Sequence, residues 1–192
     1  MRQQLSIGND FPKKSLGQNF ITDNNFILKL NEHIITSKED IIIEIGPGKG
    51  ALTECLYKKN FKDLYLIEKD NKLASYLTEI YKHDNKIKVI NEDALKYNYR
   101  NFKNKNGKIV ICGNLPFNIS TKLLILWLSN DKWPSFFDRM ILMFQKEVAD
   151  RIIANHSNKK YGRLSVLVQS RCKVNKILTA PSSIFFPKPK VD

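Results

Sequence analysis

The stretch Ile41-Ile42-Ile43-Glu44-Ile45 stops at Gly46-Pro47-Gly48-Lys49-Gly50, and a helical pattern follows over 51–59. No other junction limits the fold as much. A β-branched run that is apolar at nearly every position has no solvent face, so it belongs inside a sheet covered on both sides. The same strand-then-helix pattern then recurs. Residues 64–67 read as a second strand ended by Glu68, and residues 71–82 as a helix. Residues 86–90 read as a third strand with Asp93 just past it, and 108–113 as a fourth, followed by a helix over 119–129. Residues 139–144 read as a fifth strand, 145–154 as a helix and 164–171 as a sixth strand. Ahead of them, 23–36 read as a helix with Asp23 as N-cap and Phe26, Ile27, Leu30 and Ile34 on one face. Residues 1–20 are polar and irregular, and no internal repeat or long linker occurs.

This alternation predicts an α/β, Rossmann-like domain: a mostly parallel sheet, right-handed crossovers and helices on both faces. In such sheets ligands sit at the carboxyl ends of the strands, near the point where strand order reverses. Gly46, Glu68, Asp93 and Asn114 each fall at or just beyond a strand's carboxyl end, so four positions converge on one rim. The 192 residues suit a single domain, 1–192, with 1–22 as a segment covering the site. No apolar run approaches the roughly 20 residues of a membrane span, and the polar N-terminus does not resemble a secretion signal. A cytoplasmic location is expected. Cys55, Cys112 and Cys172 are odd in number and widely spaced, which points to reduced thiols. His33, His83 and His156 share no ligand spacing with them, so no metal site is predicted.

A net charge of +13 favours polyanions as partners, chiefly through phosphate contacts. Basic residues in loop-like sequence, Arg100, Lys103, Lys105 and Lys108, then Lys159, Lys160 and Arg163, make a nucleic acid the favoured partner. An alternative is compositional, since Lys, Asn and Ile are abundant throughout the chain.

The corner Asn114-Leu115-Pro116-Phe117, followed by Asn118-Ile119-Ser120-Thr121, comes directly after the fourth strand. The Asn114 amide oxygen and the carbonyl before Pro116 can accept from one exocyclic amino group, and Pro116 donates nothing. The Phe117 ring can stack on a flat base held outside its own stack. The plainer reading is an ordinary turn with a core phenylalanine. The glycine loop and Glu68 also fit a dinucleotide site, because Gly46, Gly48 and Ala51 satisfy G-x-G-x-x-G/A. Pro47 and Lys49, however, fill the turn where a pyrophosphate needs open amides. Glu68 on a ribose and Asp93 on an adenine amino group describe a ligand that needs no phosphate cradle, and S-adenosylmethionine is such a ligand. The plainer roles are a solvated acid for Glu68 and a capping residue for Asp93.

Six motifs occur in the order found in ribosomal RNA adenine dimethyltransferases. They are Lys13-Lys14-Ser15-Leu16-Gly17-Gln18-Asn19-Phe20, Ile43-Glu44-Ile45-Gly46-Pro47-Gly48-Lys49-Gly50, Glu68, Asp93, Asn114-Leu115-Pro116-Phe117 and Phe185-Phe186-Pro187-Lys188-Pro189-Lys190-Val191-Asp192. The opening motif resembles the small-subunit (16S) enzymes more than the large-subunit ones. The resemblance implies S-adenosylmethionine as cofactor and two methylations of each of two adjacent adenosines in a small-subunit hairpin during ribosome assembly. It implies cofactor contacts from Gln18, Asn19, Ile21, Gly46, Gly48, Glu68, Asp93 and Asn114, with Gln18 and Asn19 near the methionine end. It implies that Asn114 and Leu115 orient the target N6, that Pro116 belongs to the same catalytic corner and that Phe117 stacks on the base. Phe185 is the second aromatic wall on this reading, a role its neighbour Phe186 could also fill. Members of the family continue past the closing motif into a last strand and a small helical domain, so this chain is expected to lack both. The rival expectations are a non-enzymatic RNA-binding assembly factor, a large-subunit rRNA methyltransferase and an NAD-dependent oxidoreductase. A monomer is expected.

Overall fold

The computed structural model describes residues 12–13, 16–129 and 133–189. Lys14 and Ser15 of the opening motif and Lys190, Val191 and Asp192 of the closing one lie outside the described residues, as does most of the N-terminal segment. In chain order the elements are β1 (Phe20–Ile21), α1 (Asn24–Glu32), β2 (Ile41–Ile45), α2 (Ala51–Tyr57), β3 (Asp63–Glu68), α3 (Asn71–Tyr81) and β4 (Ile87–Asn91). They continue with β5 (Ile109–Gly113), α4 (Phe117–Leu128), β6 (Arg139–Leu142), α5 (Lys146–Ile152), α6 (Arg163–Arg171) and β7 (Phe185–Phe186). Five strands form one parallel sheet in the order β4-β3-β2-β5-β6. β1 and β7 pair antiparallel outside that sheet.

The period-2 geometry of β2 explains why both faces are covered. Ile41, Ile43 and Ile45 point to one side, where Ile109 and Ile111 of β5 join Leu123, Leu124 and Trp127 of α4 and Leu164 and Val168 of α6. Ile42 points to the other, with Leu64, Leu66 and Val110, against Ile27 and Leu30 of α1, Leu56 of α2 and Leu77 and Tyr81 of α3. Ile42 and Ile43 are fully buried. Each such side chain stabilises the fold by about 1.5–3 kcal/mol relative to exposure. Two helix starts are capped as the residue types require. The Asp23 carboxylate accepts from the Phe26 amide at 3.0 Å and that of Asp70 from the Lys72 amide at 3.0 Å.

Two elements differ from the sequence reading. Residues 164–171 are not a sixth strand; they form most of α6. Leu164, Ser165 and Val168 are buried while Val166 is 50% exposed, which is a helical period rather than alternation. The Ser165 hydroxyl accepts from the Gly162 amide and donates to the Arg151 carbonyl, and the Gln169 amide donates to the carbonyls of Ile152 and Ala154, both at 2.9 Å. Those contacts tie α6 to the end of α5, and tertiary packing overrides the strand preference of Val166 and Val168. The second difference lies in the segment read as irregular, whose end is β1. Phe20 and Ile21 pair with Phe186 and Phe185, a partner more than 160 residues away. The Thr22 amide and hydroxyl extend the pairing to the Ile184 carbonyl at 2.8 and 2.9 Å.

The helix and strand descriptions of α6 separate cleanly in solution. Val168→Asp buries an unpaired charge and is expected to cost 3 kcal/mol or more, on the order of other buried charges. Val166→Asp is expected to stay within about 0.5 kcal/mol. Urea unfolding of the two variants checks this, because on a strand both positions would share one face and lose stability together.

Candidate functional site

β2 and β5 are neighbours whose following loops leave toward opposite faces, so a crevice opens beyond their carboxyl ends. On the β2 side the chain turns through Gly46 and Gly48, both with positive φ. A Cβ on Gly48 would stand 2.8 Å from the Phe20 ring, so this glycine lets β1 lie directly over the loop. The Gly48 amide donates to Glu68 Oε2 at 3.1 Å, and the Asp70 amide donates to Oε1 at 2.8 Å. Glu68 is 6% exposed. Burial pushes its carboxyl up from the ordinary value, while those two amides pull it back toward ionisation.

Asp93 stands beyond β4. Its Oδ1 accepts from the Leu95 amide at 3.0 Å, and its Oδ2 pairs with Lys69 Nζ at 2.9 Å. The Lys69 contact holds its carboxyl below the usual value, with burial acting in the opposite sense. Asp93 therefore does form a local turn, but it also lines the crevice. On the β5 side, Asn114 Nδ2 donates to the Asn19 carbonyl at 2.8 Å. A carbonyl can only accept, so this bond sets which end of the amide is which and leaves Oδ1 as a free acceptor. Leu115 buries its side chain, and no described group donates to its carbonyl. Pro116 is the N-cap of α4, its carbonyl taking the Ile119 and Ser120 amides at 3.0 Å each. The helix thus starts at Phe117, two residues earlier than the sequence pattern indicated.

These groups surround one cavity of about 480 Å³, lined by Gln18, Asn19, Ile21, Gly46, Gly48, Glu68, Asp93, Asn114, Leu115, Pro116 and Phe117. Of the residues singled out from sequence, Phe185 alone does not line it. It is buried and meets Phe117 edge-on with ring centroids 6.4 Å apart. Phe186, 52% exposed, faces the cavity instead. The alternation of β7 puts one ring in the core and the next on the wall.

Sequence reasoning missed three participants. Asp70 anchors the covering segment: Lys13 Nζ reaches its Oδ2 at 2.8 Å and Gln18 Nε2 the same oxygen at 3.2 Å. Burial acts upward on Asp70, but Lys13, the Lys72 amide and Gln18 together keep its carboxyl below the ordinary value. Its position two residues after Glu68 and its capping role were the available signals. Glu44 is the second, 2% exposed, on the cavity wall, and accepting from the Thr53 hydroxyl at 2.7 Å. Desolvation raises its carboxyl to about 8, partly opposed by Thr53 and assisted by the Glu68 charge. Lys69, on Asp93, is the third. Among the described residues no group of three or more His, Cys, Asp or Glu is placed to hold a metal ion, and no helix is long and apolar enough to cross a membrane.

The model of the family described as "Ribosomal RNA adenine dimethylase" matches residues 9–192. The chain belongs to this family. The Ribosomal RNA small subunit methyltransferase A of Pelagibacter ubique is 47% identical over 181 residues, which are 94% of this chain and 67% of that protein. That of Chelativorans sp. is 37% identical over 182 residues, 94% of this chain and 66% of the relative. A dimethyladenosine transferase from Plasmodium falciparum superposes with a TM-score of 0.76 at 31% identity, over 90% of this chain and 60% of that one. The chain thus spans about two thirds or less of the length of these dimethylase relatives. The 23S rRNA methyltransferase ErmE shares the fold, with a TM-score of 0.73 at 23% identity over 90% of this chain and 66% of that one.

The buried Glu44 gives the cavity a pH signature. A carboxyl raised from 4.5 to about 8 binds its proton more tightly when folded. Its contribution to stability is full below about 4.5 and is lost as pH rises toward 8. The slope for one group is at most about 1.4 kcal/mol per pH unit. Glu68 is raised in the same direction and adds to the trend. Glu44→Gln is therefore expected to flatten the fall in melting temperature between mildly acidic and mildly alkaline pH, as thermal unfolding across that range would record.

Proposed function

We propose that this chain is the catalytic domain of an S-adenosylmethionine-dependent rRNA (adenine-N6,N6)-dimethyltransferase. Its substrate on this reading is two adjacent adenosines in a hairpin of the 16S rRNA of the immature small subunit. It works as a cytoplasmic monomer, with the segment up to residue 22 covering the site. The observation that carries the reading is the corner at Asn114: its Nδ2 is tied to the Asn19 carbonyl, so Oδ1 and the Leu115 carbonyl remain as two acceptors beside the Phe117 ring. An exocyclic amino group has two hydrogens to offer such a pair.

The cavity chemistry fits the cofactor. Glu68 and Asp93 are suited to a ribose and an adenine amino group respectively, and Glu44 and Glu92 also line the cavity. Its two lysines are engaged, Lys69 with Asp93 and Lys49 over the Phe20 ring at 5.7 Å. The Gly48 amide, which a dinucleotide pyrophosphate would need, already serves Glu68. This supports S-adenosylmethionine over NAD. When bound, S-adenosylmethionine supplies a methyl group activated by its sulfonium.

The chain's own residues do the rest. Phe117 stacks on the extruded base, with Phe186 across the cavity as the better-placed second wall. Asn114 Oδ1 and the Leu115 carbonyl draw the N6 hydrogens out of the ring plane and return lone-pair character to a nitrogen otherwise conjugated with the ring. Positive charge on N6 then meets acceptor dipoles that are already oriented, which lowers the barrier without reorganisation. Holding the reacting atoms collinear supplies a further part. No general base is needed, because the N6 proton is acidic once the nitrogen is alkylated.

Asn114→Ala is expected to lower methyl transfer by a hundredfold or more, on the order of removing one preorganised group from an active site. Cofactor affinity measured calorimetrically should change far less. Unchanged turnover in that variant would remove the role given to the corner.

A further inference from the structure

A second depression of about 850 Å³ lies beside the cofactor cavity, and Leu95 lines both. The outer face of α4 connects them. Asn118 stands at the lip of the first, and Lys122, Ile125, Leu126 and Ser129 line the second. Those positions are spaced by three and four residues, so they form one stripe along the helix, about 16 Å long at 1.5 Å per residue. The opposite wall is the loop between β4 and β5, which brings Lys96, Tyr97 and Arg100.

The chemistry of this groove is one-sided. Lys96, Arg100 and Lys122 are exposed on its rim, and no carboxylate lines it among the described residues. Asp93, which feels the charge of Lys96, is already paired with Lys69. The floor is a fixed aromatic stack. Tyr99 lies on Phe136 at 5.0 Å and meets Trp127 edge-on at 5.6 Å, while Tyr97 meets Tyr99 edge-on at 5.2 Å. Tyr99 and Trp127 are buried, but Tyr97 and Phe136 are only half-buried, and Ile125 and Leu126 are 41% and 45% exposed. Apolar side chains and rings thus stay open between three cations that have no ion pair among the described residues.

We propose that this groove is a second nucleotide site, which holds unpaired RNA flanking the target adenosine. Phosphates sit on Lys96, Arg100 and Lys122, and a base lies against Tyr97, Phe136 and the apolar stripe. Cationic rims with aromatic or apolar floors are how single-stranded nucleic acid is gripped without reading its sequence. The shared Leu95 and the continuous face of α4 set this grip next to the base pocket, so it fixes the strand on which the target is presented. The proposal rests on the rRNA methyltransferase reading and adds to it a place for the flanking strand.

The test is the salt dependence of binding to a fluorescent RNA hairpin with two adjacent loop adenosines. Three forms of the chain are compared: wild type, K96A/R100A/K122A, and K38A/K58A/K62A. The last removes the same charge from the far end of the sheet, before β2 and β3. Each phosphate contact contributes roughly 0.7 to the slope of log K against log salt for a single strand. The groove variant is expected to lose about 2 from that slope and at least tenfold in affinity at low salt; the control variant should lose less than about 0.5. A groove variant with the wild-type slope overturns the proposal, as does an equal fall in both variants or a wild type that does not bind the RNA. Titration of the same three proteins with S-adenosylmethionine keeps the two readings apart. Cofactor binding in all three with an unchanged RNA slope sinks the groove alone, whereas no cofactor binding to a folded wild type sinks the methyltransferase reading.

Discussion

The architecture turns on the place where the parallel sheet changes direction. β2 is the central strand, paired with β3 on one side and β5 on the other, and chain order runs outward from it both ways. Loops leaving β2 and β5 must therefore diverge, and both line the cavity beyond the strand ends. Gly113 makes the approach possible: a Cβ there would stand 2.5 Å from the Ile45 carbonyl oxygen. The crevice is thus a consequence of strand order, which also carries the acids and the Asn114 corner to its edge.

The second dependence is long-range. Lys13 and residues 16–22 are fastened at both ends. Lys13 and Gln18 hold Asp70 at the start of α3, and β1 pairs with β7 from the far end of the chain. Between those anchors Phe20 lies over Gly48 and the Asn19 carbonyl orients Asn114. One segment therefore connects the glycine loop, Asp70 at the start of α3 and the corner beside Phe117. This gives a physical reason for the motif that opens the chain, which sequence composition alone leaves unexplained.

How much of this was legible in the sequence depends on whether the signal was local. The strands at 41–45 and 109–113 announce themselves because a strand buried on both faces is apolar throughout. Glu68, Asp93 and Asn114 could be placed on one rim because parallel strands end on the same side. α6 was read as a strand because Val166 and Val168 favour sheets locally, while the contacts that make it a helix, from Gln169 to the end of α5, are tertiary. β1 was invisible for the same reason: two residues pairing with a distant partner leave no periodicity. The difference between Phe185 and Phe186 is one of register, since a shift of one residue along a strand exchanges core for cavity. Lys13 and Asp70 each had an ordinary explanation alone, surface charge and helix cap, and only the fold brings them within 2.8 Å.

The most direct test of the account is calorimetric titration of the chain with S-adenosylmethionine, in the wild type and in Glu68→Ala, with NAD as the competing ligand. The account predicts saturable binding of S-adenosylmethionine, its loss in Glu68→Ala with the fold retained by circular dichroism, and no binding of NAD. Binding of NAD in place of S-adenosylmethionine, or full S-adenosylmethionine affinity without Glu68, would contradict it.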